Sequence, residues 1–189
     1  SKVAKVSHHA AMPYADVPAF MARLRQGESI SRKALEFAIL TAARTGEVTG
    51  AAWDEIDGDV WTIPKERMKG GREHVIPLSA RAVELLAGFD RKAWPFALSE
   101  NTMLYLLQRD PPKGFGLPFT VHGFRSAFSD WAHETTAHPN HVIEMALAHT
   151  IPNKAEAAYR RGALLTKRRE LMEAWAAYNT SADDLADRL

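Results

Sequence analysis

The sequence predicts a mainly α-helical domain with one small antiparallel β-sheet, an α+β fold. Three observations predict it. Apolar residues recur at helical spacing over most of the chain, as at Ala34, Leu35, Ala38, Ile39 and Ala42. One stretch breaks that texture: Val60–Trp61–Thr62–Ile63 and His74–Val75–Ile76–Pro77 have strand character and flank the turn signal Lys69–Gly70–Gly71–Arg72. Finally, 189 residues with 46% apolar and 25% charged content suit a single domain with a core of its own.

Taken in order, Asp16 and Pro18 mark a helix start, and that helix is expected to run to about Gln26. Ser31 is the expected cap of the next helix, which should end near Arg44–Thr45–Gly46 and be followed by a short helical segment from Glu47 to Ala51. The two strands then form a β-hairpin with its basic residues at the tip. Ser79 caps a helix to about Leu86, and Ser99 caps another to Gln108. Three prolines and two glycines make 110–118 a loop. Helices are expected over about 121–134, 139–148, 154–160 and 164–178.

Composition narrows the function. There is no cysteine, so disulfides, zinc–thiolate sites and iron–sulfur clusters are excluded. No apolar run reaches the roughly 20 residues that span a bilayer, and the first eleven residues lack the apolar stretch of a signal peptide. A cytoplasmic protein is the expectation. The net charge is +1, but the end after Thr180 carries three aspartates against one arginine, leaving +3 on the rest. Basic residues cluster twice, at Lys65, Arg67, Lys69 and Arg72 and at Arg160, Arg161, Lys167, Arg168 and Arg169. Either cluster is a solvated face or a set of phosphate contacts.

No Walker loop and no dinucleotide fingerprint is present. His133–Glu134 with His138 and His141 resembles a zinc helix only superficially, because His133 and His138 are five apart rather than four and Pro139 follows. Other residues point to phosphate chemistry. His122 and Arg125, three apart in His122–Gly123–Phe124–Arg125, sit at a helix start, where free N–H groups favour anions. Arg44 either serves a helix dipole or offers a second guanidinium, with Glu47 three residues on to hold it. His149 precedes Tyr159 by ten residues, and Tyr159 lies beside Arg160 and Arg161, unlike Tyr14, Tyr105 and Tyr178.

The order arginine, hairpin lysine, His-x-x-Arg, histidine, tyrosine resembles the tyrosine recombinase (phage integrase) family. The matching residues are Arg44, Lys69, His122, Arg125, His149 and Tyr159, with Glu47 as a supporting residue. Pro77–Leu78–Ser79 after the hairpin fits too. His9 to Leu24 is similar to the entry into the catalytic domain in integrases of prophages and genomic islands. The resemblance implies a linker at 1–13 leading from an N-terminal DNA-binding region, a catalytic domain at 14–178, and a tail at 179–189 that docks on a neighbouring subunit. It implies the tyrosine recombinase catalytic fold and integration or excision of a mobile element. The partners it implies are double-stranded DNA at attachment sites, a tetramer assembled on that DNA, and accessory excision or host architectural proteins. It implies no cofactor, no metal and no membrane.

The chemistry it implies is transesterification. Tyr159 attacks the scissile phosphate, giving a 3′-phosphotyrosine and a free 5′-hydroxyl. A phenol with a pKa near ~10 needs help to lose its proton, and His122 is the candidate to accept or orient it. Arg44, Arg125 and His149 meet the non-bridging oxygens. The lysine that protonates the leaving oxygen is Lys69 or Lys65; Lys69, beside the Gly-Gly turn, is preferred. A type IB topoisomerase uses the same groups, an inactive DNA-binding prophage remnant would keep the fold alone, and a metal-dependent nuclease would lose activity in chelator.

Overall fold

The computed structural model describes residues 10–149 and 161–180. The expected helix at 154–160, Tyr159, and all but the end of the 1–13 linker and the start of the 179–189 tail lie outside the described residues. Within them the fold is mainly α with a three-stranded antiparallel sheet.

A 3-10 turn at Tyr14–Asp16 leads into α1 (Val17–Arg25), whose Pro18 sits in the first turn, where no N–H is needed. Helix α2 spans Ile30–Thr41. Its cap is Ser29 rather than the expected Ser31: Ser29 has extended backbone and its hydroxyl accepts the Arg32 amide, whereas Ser31 is already inside the first turn. α2 also stops earlier than expected. Ala42 turns left-handed (φ 49°), and Arg44 opens α3 (Thr45–Thr49) instead of ending α2, with Gly46 inside that helix.

The sheet has β1 (Ile56–Asp57), β2 (Val60–Ile63) and β3 (His74–Pro77) in that order, with Trp61 opposite Ile76 and Ile63 opposite His74. The sequence predicted β2 and β3; β1 is a two-residue addition behind the Gly58 turn (φ 57°). Helix α4 (Ala80–Ala87) is capped by Ser79 as expected. Helix α5 begins at Thr102, not Ser99, and ends at Gln108, because the Ser99 carbonyl is taken by the Thr102 amide in a preceding turn. Then come α6 (Gly123–Thr135), α7 (Asn140–Ala146) and α8 (Arg161–Thr180).

α8 packs against α1, α2, α6, α7 and β3. Its Trp175 is fully buried, donates to the Ile39 carbonyl at 2.8 Å, and sits among Phe128, Trp131 and Tyr178. A second aromatic group, Phe37, Trp61, Trp94 and Phe96, joins α2 to the sheet. The two groups tie α2 to the sheet on one side and to α6 and α8 on the other, and the candidate site is built next to them.

Candidate active site

Arg125 is the centre. It projects from the first turn of α6 and is only 5% exposed. One terminal nitrogen donates to the Ala42 carbonyl and the other to the Leu147 carbonyl at 2.7 Å. Ala42 lies two residues before Arg44, and Leu147 two before His149. Both acceptors stand at helix ends where the chain turns left-handed, at Ala42 (φ 49°) and Ala148 (φ 52°). These are the only non-glycine residues with positive φ among the described residues, and both border the arginine. One guanidinium therefore gathers α2, α6 and α7. Burial, then the neighbouring charge of Arg44, pull its pKa down to about 10, while Glu47 opposes the shift.

Arg44 is half-buried. Its amide donates to Glu47 Oε2 at 2.8 Å and its side chain to Glu47 Oε1 at 2.7 Å. Glu47 thus caps α3 and clamps the arginine at once. Burial pushes the Glu47 carboxyl up, but the hydrogen bonds from Arg44 and the charges of Arg44 and Arg125 outweigh it, leaving the pKa lowered. The glutamate is an anion that orients, not a proton carrier.

His149 is exposed at the end of α7, with Nδ1 2.8 Å from Glu144 Oε2. A carboxylate only accepts, so Nδ1 carries a proton and Nε2 points away from Glu144. His122 is exposed at the N-cap of α6, and its carbonyl accepts the Arg125 amide. Lys69 is exposed at the hairpin tip, and Lys65 is exposed in the 3-10 turn before it, near Glu66. The structure therefore brings together Arg44, Glu47 and Arg125, ties Arg125 to the backbone beside His149, and leaves His122 and Lys69 at the surface. Tyr159 lies outside the described residues.

Two members of the basic clusters turn inward rather than forming part of a solvated face. Arg67 faces inward onto Glu55, and Arg168 is 7% exposed, donating to the Val75 carbonyl. Arg169 pairs with Asp59. His133, weighed above as a metal ligand, sets its ring nitrogens 2.7 Å from the Ser129 carbonyl and 2.7 Å from Asn140 Oδ1; the Asn140 bond, then the Ser129 bond, raise its pKa. Sequence reasoning missed Glu144, whose only signal was its place five residues before His149. It also missed His74, buried on β3 near Arg168, Glu47 and Arg125, with a pKa lowered to about 4 by burial first and Arg168 second.

The phage integrase family profile matches residues 11–113. The chain is 33% identical to prophage integrase IntZ of Escherichia coli K12 over 93% of its own length and 46% of that protein's. It is 36% identical to prophage integrase IntA of the same strain (77% of this chain, 38% of the relative) and 32% identical to the integrase of Enterobacteria phage P4 (92% and 46%). The chain spans less than half the length of these relatives. No solved structure gives a significant match.

Proposed function

The chain belongs to the phage integrase family, and from that premise we propose that it cuts and rejoins DNA at attachment sites to integrate or excise a mobile element. The observation that carries the proposal is the Arg125 guanidinium, buried yet charged, held beside Arg44 at the junction of α2, α6 and α7. A buried cation with two carbonyl partners still has donors to offer. Of its five N–H groups two are engaged in these bonds, and the remainder suit a phosphate oxygen. Arg44, gripped on one edge by Glu47, keeps its other donors for the same anion.

In this reading Tyr159 attacks phosphorus while the P–O5′ bond breaks. His122 takes or orients the phenolic proton, and Lys69 gives a proton to the departing 5′ oxygen. The 3′-phosphotyrosine conserves the phosphodiester, so a 5′-hydroxyl can attack it and reseal the strand without nucleotide hydrolysis. Each preorganised donor on the non-bridging oxygens contributes on the order of 10²–10³ in rate. His149, its ring held at Nδ1 by Glu144, is read as the third such donor. Strand exchange requires two duplexes, hence a tetramer on DNA, with accessory excision or architectural proteins setting direction. Such a protein works in the cytoplasm on the nucleoid. No helix among the described residues is long and apolar enough to cross a membrane.

The test is covalent capture. A duplex nicked just beyond the cleavage point loses the short fragment that carries the freed 5′-hydroxyl, so the strand cannot reseal and the adduct is trapped for a denaturing gel. The expected result is an adduct that forms in chelator and disappears in Tyr159→Phe. No adduct from the whole gene product on its own attachment site overturns the proposal in favour of a DNA-binding remnant. Site-independent relaxation of supercoiled plasmid would instead assign it to the topoisomerase reaction.

A further inference from the structure

We infer that Arg67 is a positioning residue that sets the hairpin lysine against the arginine site, through an inward-facing ion pair with Glu55, just before β1, and hydrogen bonds to two carbonyls of α3. The inference rests on the reading of Lys69 as the acid for the leaving 5′ oxygen. Arg67 closes the 3-10 turn Lys65–Arg67, two residues before Lys69. Its cluster neighbours Lys65, Lys69 and Arg72 are exposed, whereas its own side chain is 23% exposed and turned inward. Nε lies 2.8 Å from Glu55 Oε1, and Nη2 donates to Glu55 Oε2 at 3.0 Å. The same Nη2 donates to the Glu47 carbonyl at 3.0 Å, and Nη1 reaches the Gly46 carbonyl at 3.5 Å.

Both ends of this link are anchored. Glu55 also accepts from the indole of Trp61, fully buried on β2, at 2.9 Å. On the far side Glu47 does two things: its carboxylate holds Arg44, and its carbonyl receives Arg67. Gly50 leaves the space, since a Cβ there would sit 2.6 Å from Arg67 Nη1 and 3.0 Å from the Gly46 carbonyl. Between Arg67 and Lys69, Met68 is buried and its carbonyl accepts the Gly71 amide at 2.9 Å. The backbone that carries Lys69 is therefore held from Arg67 to Gly71, and the lysine side chain extends from a fixed root. A guanidinium can fork onto a carboxylate and two carbonyls together, which a lysine cannot do.

An ion pair that merely stabilised the sheet would slow every step alike. A misplaced acid slows only the step that needs its proton. Replacing the bridging 5′ oxygen of the scissile phosphate by sulfur separates the two. A thiol has a pKa near ~8.5, so its thiolate leaves without protonation, whereas an alkoxide does not. Single-turnover cleavage of oxygen- and sulfur-bridged nicked duplexes by the full chain would be measured for the unsubstituted protein and for Arg67→Lys, Gly50→Ala, Lys69→Ala and Arg44→Ala. Gly50→Ala keeps every charge and pushes hardest on the Arg67 guanidinium, and less closely on the Gly46 carbonyl that Arg67 also reaches.

The expected result is that Arg67→Lys and Gly50→Ala cleave the oxygen substrate on the order of 10- to 100-fold more slowly, a large part of what general acid catalysis provides. On the sulfur substrate they return to near the unsubstituted rate, as does Lys69→Ala, while Arg44→Ala stays slow on both. If Lys69→Ala is rescued by sulfur and the Arg67 and Gly50 variants are not, Arg67 is structural only; the inference falls and the reading of Lys69 stands. If Lys69→Ala is not rescued, the acid assignment itself fails and takes the inference with it. Hydrogen exchange gives an answer without activity. Amides of 66–72 should exchange faster in Gly50→Ala while those of α2 do not change, and unchanged exchange in the hairpin overturns the link.

Discussion

A guanidinium that is 5% exposed needs partners for its donors, and Arg125 takes two of them from helix ends. Arg125→Lys keeps the charge but has one point of attachment, so either the Ala42 or the Leu147 carbonyl goes unpaired. The expected loss is about 1–3 kcal/mol of stability, together with loss of the covalent adduct. Arg44→Lys, at a site 29% exposed, should cost about 1 kcal/mol or less in stability yet still impair cleavage. Urea unfolding read beside adduct formation checks both; equal stability losses would show that Arg125 holds nothing that Arg44 does not. The contrast also shows what was legible at this scale. The spacing of His122 and Arg125 and the pairing of Arg44 with Glu47 stand in the sequence as side chains. The partners of Arg125 do not, because every residue offers a carbonyl and only the fold decides which two turn inward. His74 and Arg67 were hidden for a related reason: β3 and the hairpin were recognised as elements, but a basic residue on a short strand or turn gives no sign of whether it faces in or out.

Element types were well marked by period, and element ends were not. Ser29 and Ser31 are equally good caps in composition; backbone geometry chose Ser29. β1 has two residues, too few for any alternation to show. The start of α6 offers a sharper case. Gly123 occupies its first position, and a Cβ there would lie 2.4 Å from the Ala10 carbonyl oxygen and 2.8 Å from the Ala11 Cα. The Ala10 carbonyl accepts the Thr120 amide at 3.1 Å, so the segment leading to α1 lies across the turn that presents His122. In an isolated helix Gly→Ala is stabilising by about 1 kcal/mol. Here the contact is with backbone, which cannot swing aside, and the overlap should reverse the sign to a loss of about 1–3 kcal/mol. Gly123→Ala should also speed proteolysis before Tyr14. Urea midpoints and limited digestion test this, and a stabilised variant would mean that the entry segment does not rest on α6.

At the scale of the whole molecule, the site and the core meet at His74, where β3 lies against α8 and near the end of α7. The ring is 8% exposed, shares a backbone hydrogen bond with Ala146, and faces the charges of Arg168, Glu47 and Arg125. Burial, then Arg168, hold its pKa at about 4 against an ordinary 6.5. The unfolded chain therefore takes up a proton as pH falls below about 6.5, and the folded chain does not until about 4. The stability linked to His74 is whole above that window and declines through it as pH falls, by on the order of 3 kcal/mol at the acid end. His133 acts the other way. Its pKa is raised, so its contribution is present below its ordinary value and is lost as pH rises through the raised one. The two act in adjacent windows on either side of about 6.5, so a raw pH profile mixes them with every other titrating group, and the measurement must be a difference. Urea unfolding of the unsubstituted chain and of His74→Asn and His74→Gln, from pH 4 to 8, should give curves whose separation is constant above pH 7. Below it, the unsubstituted chain should lose stability faster than either variant. Parallel curves across the whole range would mean that folding leaves the His74 pKa unshifted; the ring would then charge in the fold below about 6.5, and a cation there would repel Arg125 and Arg168 at the point where α2, α6, α7 and α8 are joined.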